Sequence, residues 1–141
     1  MIKMTISHII DRIFIGDIQD AERAPKGRVT LRAAHWDGQG YQSDYIYPIS
    51  ETADAMQPLL MRECAEKLNE LAEGGSIILL HCIAGAARSP SVMIVYLVIY
   101  KKMSYEDAVA FVGVKRPPAY QINPVCLDAA RKAISLPYPK K

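Results

Sequence analysis

Cysteine is scarce in this chain. Three occur among 141 residues, too few and odd in number for a scaffold built from disulfides. An excess of one charge is also lacking: 17 Lys and Arg face 15 Asp and Glu. The resulting net charge of +2 falls short of the basic footprint of a nucleic-acid binder. The longest unbroken apolar run, Val92 to Tyr100, covers about half of a membrane span. Residues 1–8 hold no signal-peptide core, and no repeat, low-complexity tract or linker divides the sequence. These absences lead us to expect a monomeric cytoplasmic protein with no nucleic-acid and no membrane partner. Half of the residues are hydrophobic, enough for one core. We assign one domain to residues 1–136 and a disordered tail to 137–141.

Hydrophobic spacing supplies the elements. Strands are expected at Ile13-Phe14-Ile15 before Gly16, at Val29 to Ala33, at Tyr45 to Tyr47, and at Ile77 to Leu80 after Gly74-Gly75. The last has no polar alternation, the mark of a strand covered on both faces. Leu60, Cys64, Leu68 and Leu71 repeat at helical spacing within a helix placed at 59–72. Residues 91–100 are apolar all round, as in a buried helix. Ser104 opens a further helix towards Val114, which Pro117-Pro118 blocks. A last helix starts with Asn123 as cap and Pro124 at its first position, and ends near Ile134. Strands interleaved with helices predict an α/β domain: a central sheet of four or five strands flanked by helices.

Between the buried strand and the buried helix lies His81-Cys82-Ile83-Ala84-Gly85-Ala86-Ala87-Arg88-Ser89. Small residues at 84–87 allow the backbone to curl so that its N–H groups converge. Together with the positive end of the helix, this forms an anion site suited to phosphate oxygens. Arg88 adds a planar fork for two such oxygens. Ser89 is the expected helix cap, with Pro90 at the first helical position. The same dipoles and charge favour the thiolate of Cys82, the form in which a cysteine is a nucleophile.

His-Cys-x-x-Gly-x-x-Arg-Ser resembles the phosphate-binding signature of the cysteine-dependent protein tyrosine phosphatases, and its surroundings resemble their compact dual-specificity branch. Ile13-Phe14-Ile15-Gly16 is similar to the family's early strand, and Tyr47-Pro48-Ile49-Ser50-Glu51 to its "IPI-x-D" segment. Val95-Tyr96-Leu97 and Arg116-Pro117 with Asn123 match later stretches. The resemblance implies hydrolysis of phosphotyrosine and phosphoserine or phosphothreonine in phosphorylated proteins or peptides, with no cofactor and no metal. It makes Cys82 the nucleophile. Arg88 and the backbone of Ile83, Ala84, Gly85, Ala86 and Ala87 bind the phosphate. Ser89 hydrogen-bonds the thiolate, and His81 supports the loop.

The family's acid is an aspartate about thirty residues before the cysteine, and here two carboxylates compete. Glu51 has the register and Asp54 the side-chain type, so both stand as candidates. The absence of Lys and Arg at 83, 84, 86 and 87 argues against polyanionic substrates. A non-catalytic phosphoprotein-binding module is the competing reading. Arsenate reduction needs accessible resolving cysteines, whereas Cys64 and Cys126 occupy apolar helix positions. His35-Trp36-Asp37-Gly38 reads as a turn.

Overall fold

In the computed structural model, which describes residues 6–137, a five-stranded sheet in the order β1-β2-β5-β3-β4 forms the centre. Its strands are β1 (Ser7–Ile10), β2 (Ile13–Gly16), β3 (Arg28–Arg32), β4 (Tyr45–Ile46) and β5 (Ile77–His81). Only β1 runs antiparallel to its neighbour; the other pairings are parallel. The helices are α1 (Ile18–Glu22), α2 (Met56–Glu73), α3 (Arg88–Tyr100), α4 (Tyr105–Lys115) and α5 (Pro124–Ser135). A 3-10 turn at Pro117–Ala119 follows α4, where the two prolines stop the helix. The tail expected at 137–141 lies, from residue 138 on, outside the described residues.

The sheet and helices are joined by the apolar pattern. On β5, Ile78 and Leu80 enter the main core, while Leu79 points the other way and is equally buried. Helix α3, apolar on every side, is buried from Ser89 through Leu97. It packs between α2, α5 and α4. No described helix is long and apolar enough to cross a membrane.

Register determines where chemistry can occur. Gly16 of β2 and Arg32 of β3 both pair with His81 at the end of β5. The carboxyl ends of three parallel strands therefore finish at one level, and the loop after β5 starts there, where ligands bind in open α/β sheets. One local expectation is corrected. Helix α3 begins at Arg88 with Ala87 in the cap position, so Ser89 is not the cap and Pro90 is not the first helical residue. The Ser89 hydroxyl turns to the Cys82 sulfur instead.

Candidate active site

Cys82 follows β5 directly and is 2% exposed. The chain then curls through residues 83–87 into α3. The curl depends on Gly85, whose φ is +68°. A Cβ there would lie 2.5 Å from the Gly16 carbonyl oxygen and 2.6 Å from Arg116 Nη2, closer than packed atoms approach.

The loop carbonyls are held on the outside. Ile83 O accepts from Ile18 N at 2.9 Å. Buried Arg116 donates from Nε to Gly85 O at 3.0 Å and from Nη2 to Ala84 O at 3.3 Å. Its Nη1 reaches Ser7 Oγ and Ile15 O, anchoring the loop to β1 and β2. With the carbonyls so engaged, the N–H groups of residues 83–88 find no oxygen acceptor among the described residues. The N–H of Gly85 is aimed at the Cys82 sulfur instead. Converging, unsatisfied N–H groups form an anion-binding nest. Arg88 Nε is likewise buried without a hydrogen-bond partner, and a phosphoryl oxygen would satisfy it.

Electrostatics separates Cys82 from the other two cysteines. Burial opposes its ionisation, but the Ser89 hydroxyl at 3.3 Å, the Ser89 N–H, the Arg88 charge and the Gly85 N–H outweigh it. The net result is a thiol below its ordinary pKa. Cys64 and Cys126 are also free and buried, and burial pushes both upward. Arg32 and Arg116 add positive charge within electrostatic reach of the sulfur.

His81 is fully buried beneath the loop. Its Nδ1 lies 3.1 Å from Cys82 O, an atom that can only accept, so Nδ1 carries the proton. Nε2 must then accept from the Ser43 hydroxyl at 2.6 Å. Burial brings this histidine down to about 4, so it supports the loop as a neutral ring.

The two carboxylates differ in surroundings. Glu51 Oε2 stands 3.9 Å from Arg88 Nε, and Asn123 Nδ2 donates to Glu51 Oε1. Asn123 Oδ1 meanwhile caps α5 by accepting from Cys126 N at 2.9 Å. Asp54 turns towards the start of α2. It accepts from the Thr52 hydroxyl at 2.7 Å, Met56 N at 3.0 Å and Gln57 Nε2 at 3.2 Å. These bonds, that from Thr52 foremost, hold its carboxyl below the usual range. The structure thus brings Cys82, Arg88, Ser89, His81 and Glu51 together, while the Asp54 carboxylate bonds to Thr52, Met56 and Gln57.

Three supporting residues escaped sequence reasoning. Arg116 carried a signal, an arginine before Pro-Pro in an apolar setting. Asn123 was visible as a cap and, with Arg116, as part of the late stretch of the resemblance, but not as a partner of Glu51; nothing marked Ser43.

Comparison with known proteins agrees with this geometry. The dual specificity phosphatase catalytic domain matches residues 29–125. The chain is similar to dual specificity protein phosphatase 1B of Arabidopsis thaliana, 26% identical over 82% of this chain and 74% of that protein. It is also similar to the putative tyrosine phosphatase 123R of invertebrate iridescent virus 6, 36% identical over 80% and 81%. In fold it resembles the crystal structure of human DUSP28, with a TM-score of 0.75 and 17% identity over 94% of both chains.

Proposed function

The chain belongs to the dual specificity phosphatase family, and we propose that it hydrolyses phosphotyrosine and phosphoserine or phosphothreonine in proteins through a phosphocysteine intermediate. The Cys82 thiolate attacks phosphorus, forming the S–P bond as the bond to the leaving oxygen breaks. Glu51 gives its proton to that oxygen. Arg88 and the loop N–H groups hold the remaining phosphoryl oxygens, where charge is greatest in the transition state. Glu51, now a carboxylate, takes a proton from water as the water attacks phosphorus. The S–P bond breaks, and the Ser89 hydroxyl stabilises the departing thiolate.

One observation carries this reading: of three buried thiols, only Cys82 sits in a curled loop with a serine hydroxyl at 3.3 Å from its sulfur and a buried, unpartnered Arg88 Nε in the same loop. The choice of Glu51 is supported by its place beside Arg88, whereas Asp54 is engaged by Thr52, Met56 and Gln57 at the start of α2. Loop positions 83, 84, 86 and 87 have no basic side chain, which favours a single phosphoryl group over a polyanion. Three free thiols support a reducing, cytoplasmic setting.

Rapid acid quench with a labelled aryl phosphate tests the proposal. The wild-type chain is expected to acquire label and release phosphate. Cys82→Ser is expected to lose both while still binding vanadate. A fully active Cys82→Ser protein removes the nucleophile. A wild-type chain that retains intact ligand is a binding module instead.

A further inference from the structure

Next in sequence after Glu51 the surface opens into a groove of about 750 Å³ between the start of α2 and one face of α5. Its lining is mostly apolar. Pro58 and Ala129 are buried in its floor, while Leu59 and Val125 are 46% and 38% exposed. The charges in its lining have partners within the chain: Asp54 accepts from Thr52, Met56 N and Gln57. Asp128 and Lys132 on its rim pair with each other at 3.0 Å, and Arg131 lies over the Tyr105 ring, 4.7 Å from its centre. A depression of this kind suits an uncharged apolar group.

The near wall of the groove is continuous with the catalytic site. Thr52, Ala53 and Asp54 line it and follow directly on Glu51, the residue beside Arg88. At the other end, Val125 comes two residues after Asn123, which holds Glu51. Three residues of extended chain reach about 10 Å. The way from the catalytic site to the groove runs along residues 51–54, from Glu51 beside Arg88 to the groove wall.

We infer that this groove is a second substrate-binding site, taking a large apolar side chain about two to four residues from the phosphorylated residue of a protein substrate. The inference rests on the phosphatase reading of the Cys82 loop. Phosphate binding alone is the same for every phosphorylated protein. Filling the groove adds an apolar contact that only some sequences provide, and so gives selectivity that the phosphate alone does not.

The test is a panel of fluorescent phosphotyrosine peptides in an alanine background, with one leucine moved stepwise through about four residues on either side. Binding is measured by anisotropy with the Cys82→Ser protein. Leucine on one side, about two to four residues away, is expected to tighten binding about tenfold over alanine, as a hydrophobic pocket does for a few methylene groups. In the Leu59→Ala background the leucine advantage should shrink, and in Leu59→Glu it should vanish. Because each protein is read as a ratio between two peptides, a general loss of affinity does not imitate the result.

A flat panel overturns the inference, and so does a leucine advantage that survives both Leu59 changes. If the protein sediments as a dimer that Leu59→Glu separates, with no peptide preference, the groove joins two copies and the inference fails. Hydrolysis of an aryl phosphate by the wild type is read separately. Hydrolysis with a flat panel removes the groove and leaves the phosphatase; a leucine preference without hydrolysis does the reverse.

Discussion

Replacing Ser89 by alanine is the sharpest test of how the loop ionises its cysteine. The Ser89 hydroxyl lies 3.3 Å from the Cys82 sulfur, and both residues are buried, so water does not replace it readily. A hydrogen bond to a charged group is worth about 1.5–3 kcal/mol, and about 1.4 kcal/mol corresponds to one pKa unit. The Ser89 and Gly85 N–H groups and the Arg88 charge remain in the variant. The Cys82 pKa is therefore expected to rise by about one to two units. The pH dependence of iodoacetamide alkylation reads this directly, because burial keeps Cys64 and Cys126 protonated through the same range. The acid limb of kcat/KM for an aryl phosphate should move by the same amount. A more basic thiolate is also a poorer leaving group. Breakdown of the phosphocysteine should then become limiting and show as a burst of aryl alcohol. An alkylation midpoint that stays where it is in the wild type refutes the reasoning: the hydroxyl would merely fill space beside the sulfur.

Glu51→Gln should lower kcat for an alkyl phosphate by about 10²–10⁴-fold, spare aryl phosphates with acidic leaving groups, and flatten the basic limb of the pH–rate profile. Asp54→Asn should keep that limb, and the opposite pattern transfers the acid role to Asp54. Gly85→Ala adds about 1–2 kcal/mol of left-handed backbone strain to a close approach at Gly16 and Arg116. Calorimetry should find vanadate binding abolished; wild-type affinity would show that the loop does not need this curl. For His81, the folded ring protonates near 4, whereas an unfolded chain does so near 6.5. Between these values the unfolded state binds the extra proton, so falling pH removes about 3 kcal/mol of stability that is fully present above pH 7. An NMR midpoint for the His81 ring above pH 6 contradicts this.

The readable parts of the molecule are those whose geometry is set by neighbours in sequence. The run Ile77 to Leu80, the small residues at 84–87 and the apolar stretch after Arg88 each show their structure locally. Asn123-Pro124 and Ser104 mark helix starts by a bond within three residues. Strand β1 and helix α1 were not legible. Strand β1 is four residues long and rests on its pairing with β2, while α1 is only five, and its local signal, the reciprocal capping of Asp17 and Asp20, was overlooked. Ser89 was misread as the cap, although the resemblance rightly pointed its hydroxyl at the Cys82 sulfur. Its type suits a cap, but a buried sulfur seven positions earlier in the chain competes for the hydroxyl.

The identity of the acid was undecidable from sequence because its determinants are remote. Register pointed to Glu51 and residue type to Asp54, and both were sound local arguments. Their surroundings differ through Arg88, beside Glu51, and Asn123, 72 positions from it. The Asn123 amide oxygen is committed to capping α5, which leaves its nitrogen for Glu51. An aspartate at that position would cap the helix equally well but would face Glu51 as one carboxylate against another. A single amide thus joins the start of α5 to Glu51, a link that no local pattern at positions 51–54 could reveal.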